Sequence, residues 1–145
     1  MDLETATDLR ICIKNRPFPG ESCSGDFPFY FQNENSLLLG IADGLGHGDK
    51  AHDATLKINS YLKDFWHSDV VRLLVDLNEA LRSTIGAAVG VGHVDLQSGE
   101  FKYAGVGNIR AYVLGTASRC FISNDGIVGH NVRNPLLQNH SLSSG

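Results

Sequence analysis

The chain has 145 residues, of which 42% are hydrophobic, 8% aromatic and 19% charged, and its formal net charge is −4. That composition belongs to one folded domain with a sizeable core and excludes a disordered or fibrous chain. A net negative charge offers no attraction to nucleic acid or an anionic membrane, and no apolar run reaches the roughly 18 residues a bilayer span needs. The opening MDLETATDLR is acidic and has no apolar stretch, so it does not read as a secretory signal. Cys12, Cys23 and Cys120 are widely spaced and form no C-x-x-C. They are expected to be reduced and mostly packed thiols of a cytoplasmic protein, with neither zinc nor a disulfide framework.

RICIKN (10–15) alternates and predicts a strand, and RPFPGES (16–22) carries turn chemistry. DFPFYFQ (26–32) predicts a second strand, which Pro28 marks as edge or bulged. NENS (33–36) is a polar turn. LLLGIAD (37–43) is continuously apolar and predicts a central strand buried on both faces, so 26–43 form a hairpin. Ala51, Ala54, Ile58, Leu62 and Phe65 fall on one helical stripe and predict a helix over 48–67. Phe65 and Trp66 at its end are expected in the core. Ser68 or Asp69 caps a second helix with Val70, Leu74, Leu77 and Leu81 on its apolar face. GAAVGVGHVDL (86–96) and EFKYAGVGN (100–108) predict strands joined by QSG, followed by IRAYVLG (109–115) and RCFIS (119–123). From NDGIVGHN (124–131) onward the chain is polar and irregular. Strands, then helices, then strands argue for an α+β fold.

The chemistry gathers in GIADGLGHGDKAHDAT (40–55). A dinucleotide fingerprint would need glycine or alanine where Asp49 stands, and Asp43 would repel a phosphate. A phosphate-binding P-loop is absent, because Lys50 lies between Asp49 and Ala51. The remaining reading is a cation site: an aspartate at a strand tip, with glycines behind it, supplies the oxygen donors that Mg²⁺ or Mn²⁺ prefer. Asp26 is the second carboxylate. In a hairpin centred on residues 34–35 it lies opposite Asp43, where two carboxylates repel unless a cation intervenes. The alternative is that Asp26 caps a turn and Asp43 caps the helix; residue types alone leave both open.

PGESCSGD (19–26), ADGLGHGDKAHDA (42–54), GAAVGVGHVDLQSGEFKYAGVGNIRAYV (86–113) and SNDGIVGHNVR (123–133) resemble, in order and spacing, the phosphatase domains of the sporulation stage II protein E type. These belong to the metal-dependent type 2C Ser/Thr protein phosphatases, and the likeness is close to the small phosphatases of bacterial stress modules. It extends over residues 8–135. The resemblance implies a four-layer α-β-β-α sandwich of two antiparallel sheets flanked by helices. It also implies two Mn²⁺ or Mg²⁺ ions, with Asp26 and Asp43 as metal ligands, Asp43 bridging, and Gly44 offering its carbonyl. The implied reaction is direct hydrolysis of a phosphoserine or phosphothreonine by a water activated between the ions. The substrate would be a phosphorylated regulator of a partner-switching pathway that controls a sigma factor or stress complex. His47 is a candidate general acid, or else packs at the helix start.

The likeness stops short in one respect. The family carries two further aspartates near its end, one in an S-D-G or T-D-G, whereas this chain has no acid after Glu100 except Asp125. The reading is a single domain over 1–145 that lacks the last part of the family domain, about 50 residues. It would hold one ion or none, be weakened or inactive by itself, and leave apolar sheet edges exposed. Non-catalytic docking to a partner is the alternative function, and nucleotide binding by the glycine loop a third. GVGN (105–108) has two readings, backbone N–H groups for a phosphate or a bend where two sheets approach; the bend is expected, because it lies between two strands. Lys14 and Arg16 are expected to be solvated, His93 packed or solvated, and His130 and His140 lack ligand-like spacing.

Overall fold

The structure, a computed structural model, describes residues 9–16, 19–20, 22 and 24–143. The first hairpin pairs β1 (Asp26–Gln32) with β2 (Ser36–Gly44). Its turn is built by Asn33, whose Oδ1 accepts from the amides of Asn35 and Ser36 at 3.0 and 2.8 Å. After β2 come α1 (Asp49–Phe65) and α2 (Val70–Ala80). Asp69 caps α2 by accepting from the Arg72 amide at 3.0 Å, one of the two candidates named by the sequence. β3 (Ala87–Asp95) and β4 (Glu100–Val106) extend the sheet, and β5 (Ala111–Val113) pairs with β6 (Arg119–Phe121) in a second one. β7 (Gln138–Ser141) completes an antiparallel five-stranded sheet in the order β1-β2-β3-β4-β7.

Period-two alternation decides what each sheet face buries. Phe29, Leu38, Ala42, Val89, Val91, Ala104 and Val106 face the helices and form the main core with Ile58, Leu62, Leu73, Leu74 and Leu77. On the opposite face Phe101 and Tyr103 meet Phe121 of β6, with ring centroids 5.3 and 5.7 Å apart. The α+β class and the two antiparallel sheets with helices follow expectation. Among the described residues both helices serve the one core, so the layers present are helices, large sheet and small sheet.

Several expectations are corrected. RICIKN forms no strand; residues 10–15 join no ladder. Instead Ile11 and Ile13 line an apolar cavity of about 330 Å³ together with Leu39, Ile41 and Tyr103. β2 is buried on its helix-facing side, where Leu38 is 0% exposed; on the other face Leu37 is buried but Leu39 and Ile41 are each 38% exposed. Trp66 is half-buried against Phe31, but Phe65 lies outside the core, 59% exposed and packed on Tyr61. Cys12 and Cys120 are exposed free thiols rather than packed ones, and Cys23 lies outside the described residues. His93 is packed, with no hydrogen-bond partner at Nε2 among the described residues; burial and the nearby Lys102 charge lower its pKa.

β7 was not foreseen, because QNHS has no apolar alternation to announce it. Its first residue supplies the reason it docks. The Gln138 amide accepts from the Ile122 N–H at 3.0 Å and donates to the Ile122 carbonyl at 2.7 Å. It thus imitates a strand partner for the end of β6 while its own backbone pairs with β4.

Candidate metal centre

The ladder sets Asp26 directly opposite Asp43. The Gly44 amide donates to the Gly25 carbonyl at 2.8 Å. The adjacent 26/43 pair is therefore the non-hydrogen-bonded kind, in which cross-strand side chains approach closely. The two carboxyl groups face each other across the ladder, and the pKa of Asp43 is pushed up to about 6 by burial, by hydrogen bonding with the Asp26 carboxyl and by the Asp26 charge, in that order. Two carboxyls this close share either a proton or a cation.

The glycines around Asp43 serve packing more than openness. A Cβ on Gly44 would collide with the Ala51 backbone of α1, and one on Gly25 would come within 2.7 Å of the Ala51 Cβ. The missing side chains therefore let the first turn of α1 lie directly on the strand ends. Gly46 (φ 72) and Gly48 (φ 76) have the left-handed backbone that turns the chain from β2 into α1. His47 stands in this turn on an exposed stretch. Lys14 and Arg16 are exposed, as expected.

Asp43 opens onto a cleft of about 270 Å³ that Ala88, Gly107, Asn108 and Gly126 also line. Gly107 turns at φ 97, where a Cβ would sit 2.5 Å from that of Ala88, and its amide donates to the Asn124 carbonyl at 2.8 Å. GVGN is therefore a bend, as expected, and also a cleft wall. Its partner is the GIVG loop, anchored by the Ala87–Val128 bridge and by the Gly129 amide, which donates to Asn78 Oδ1 at 2.8 Å. Gly107 and Asn108 lie in GVGN, for which the bend was preferred over a phosphate contact, and Gly126 was not singled out. Their shared signal was glycine at strand exits, which becomes a site only once the fold brings the two exits to Asp43.

Sequence reading also missed the groups behind Asp26. Asn15 Nδ2 donates to the Asp26 carbonyl at 3.0 Å, the Asp26 amide donates to Ser24 Oγ at 3.0 Å, and Ser24 Oγ donates to Asn15 Oδ1 at 2.9 Å. His52 Nδ1 lies 3.1 Å from the Ser24 carbonyl. A carbonyl only accepts, so the imidazole carries its proton on Nδ1 in this contact.

Two carboxylates and the backbone oxygens at the strand tip are hard donors that suit one divalent cation, which keeps waters in its remaining positions. Among the described residues no group of three or more His, Cys, Asp or Glu side chains comes together. The donor set described therefore fits one ion.

No protein-family model matches the chain. It is 29% identical over 91 residues to phosphoserine phosphatase RsbX of Bacillus subtilis (strain 168), a match over 63% of this chain and 46% of RsbX. The chain thus spans about half the length of that curated relative. The crystal structure of RsbX in complex with magnesium superposes with a TM-score of 0.79 at 23% identity, over 88% of this chain and 65% of that one. A chain from a structure of the bacterial stressosome, a modular system adapted to control secondary messenger signalling, gives 0.82 at 27% identity, over 87% and 67%. The PP2C phosphatase domain of SpoIIE from Bacillus subtilis gives 0.64 at 20% identity, over 83% and 38%. The chain thus has the fold of PP2C-like domains and resembles phosphoserine phosphatase RsbX in sequence.

Proposed function

We propose that the chain carries the metal centre of a protein serine/threonine phosphatase, and that its substrate is a phosphorylated regulator in a cytoplasmic partner-switching pathway of a bacterium. The observation that carries this reading is the cross-strand meeting of Asp26 with Asp43, the residue that opens onto the cleft. The similarity to RsbX, a phosphoserine phosphatase, supports the reaction class. The crystal structure of RsbX with magnesium supports a divalent ion, Mg²⁺ or Mn²⁺.

In this reading Asp26 and the more buried Asp43 would hold the ion, with the Gly44 carbonyl as a backbone donor. A bound divalent ion lowers the pKa of its water toward neutrality and offsets charge on the transferring phosphoryl group. The chain's own part is to keep two carboxylates converged on one point and to shape the narrow glycine-walled cleft beside it. Gly107 and Gly126 add no side-chain bulk there, so a phosphoseryl or phosphothreonyl group can approach the backbone. His47, in the turn after Asp43, is the candidate to return a proton to the departing hydroxyl oxygen.

The test is hydrolysis of a phosphoserine peptide and of p-nitrophenyl phosphate in Mn²⁺ or Mg²⁺ against the same assay in chelator. Turnover is expected with the ion only. Asp43→Ala is expected to lower it by more than about a hundredfold, beyond what losing a supporting residue costs. No turnover and no heat of Mn²⁺ binding at saturation would remove the reading.

A further inference from the structure

We propose that Asn15 is a positioning residue for the metal centre, acting through Ser24 and Asp26; the inference rests on the metal reading above. Asp26 is the first residue of β1, and β1 is an edge of the five-stranded sheet. Because 26/43 is a non-hydrogen-bonded pair, the Asp26 amide and carbonyl point away from β2, toward the side with no neighbouring strand among the described residues. Left to water, a terminal edge residue frays. Here the two outward groups are taken up by side chains. Ser24 Oγ accepts from the Asp26 amide, Asn15 Nδ2 donates to the Asp26 carbonyl, and a Ser24–Asn15 hydrogen bond closes the ring. Asn15 does for Asp26 what a neighbouring strand would do, although its own segment belongs to no ladder. His52 fixes the far side of the ring by holding the Ser24 carbonyl from α1. The same helix rests on Gly25 and Gly44 through Ala51. Backbone clasp and helix thus set one Cα position, from which the Asp26 carboxylate reaches Asp43.

Nothing in this arrangement touches the cleft from which a phosphoester would approach. Asn15, Ser24 and His52 line, together with Asp26, a depression of about 330 Å³ separate from the cleft that Asp43 lines. Their effect should therefore fall on ion affinity and not on substrate binding.

The experiment is calorimetric titration of the full chain with Mn²⁺, beside its melting temperature in chelator, for the parent, Asn15→Ala, Ser24→Ala, Ser24→Thr and Asp43→Ala. Asn15→Ala and Ser24→Ala are each expected to weaken Mn²⁺ binding roughly tenfold, within the 10–100-fold range of residues that orient ligands. The double variant is expected to be little worse than either single one, because both open the same ring. Ser24→Thr keeps the hydroxyl and is expected to bind like the parent. In phosphatase assays the Mn²⁺ concentration for half-maximal rate should rise while the KM for the phosphoester stays put. If Asn15→Ala lowers the melting temperature but binds Mn²⁺ as the parent does, its role is structural only and the proposal falls. If the parent binds no Mn²⁺, or Asp43→Ala binds as well as the parent, the metal reading itself falls, and this inference with it.

Discussion

Asp43 keeps its proton to about pH 6 in the ion-free protein because it is half-buried and faces a second carboxyl. In the unfolded chain the same group ionises near its ordinary value of 3.8. Between those values the folded state binds more protons than the unfolded one, so stability falls as pH rises from about 4 to about 6 and stays at the lower level above. Asp43→Asn removes that penalty. In chelator it is expected to melt above the parent at pH 7.5 and level with it near pH 4. On adding Mn²⁺ the ordering should reverse, since the parent alone gains stability by mass action. Equal melting temperatures across the pH range would show that the two carboxyls do not compete. The juxtaposition was legible because hairpin register is arithmetic once the turn is placed at Asn33–Ser36. The clasp behind Asp26 was not. Asn15 lies on a segment whose alternation suggested a strand, and nothing local shows that its side chain reaches a backbone eleven residues on.

At the scale of elements, α1 was legible from its apolar stripe and the β1–β2 hairpin from its turn, but the reason for glycine at position 44 was not. The residue types suggested space for ions, whereas the structure uses the missing side chain to seat a helix on a strand. Periodicity reports which face of α1 is buried; it says nothing about how near the helix lies. Gly44→Ala puts a methyl group into the Ala51 backbone, which neither element can vacate without shifting the other. Overpacking of this kind costs about 1–3 kcal/mol. Urea denaturation is expected to show a loss of that size with an unchanged m-value. A loss below about 0.5 kcal/mol would mean that α1 yields freely and that the close approach is not under constraint.

Across the whole molecule, the cleft is assembled from parts far apart in sequence: the end of β2, the start of β3, the exit of β4 and the GIVG loop. Chain order and element type pointed to an α+β fold with antiparallel sheets. The pairing of Gln138 with Ile122, and the loop's place against the helices, depend on side-chain amides that no periodicity reveals. The open face carrying Tyr30, Leu39 and Ile41 likewise became visible only when the sheet's second side was seen to be partly covered. Asn78 links the two halves of the molecule, for it sits on α2 and accepts from the Gly129 amide of the loop. Gly129 is buried against Leu81, so water does not readily replace a lost partner. Asn78→Ala leaves that amide unsatisfied, at a cost of about 1–3 kcal/mol. Asn78→Asp keeps the acceptor and should come close to the parent. Hydrogen exchange locates the effect: amides of residues 126–131 are expected to exchange faster in Asn78→Ala, with those of the β1–β2 hairpin unchanged. That pattern would mean that the helix layer sets the rigidity of one cleft wall independently of the carboxylate pair on the other. Faster exchange in both segments would instead mean that the cleft opens as one unit, and that the Asn78 contact is a global stability element with no local hold on the loop.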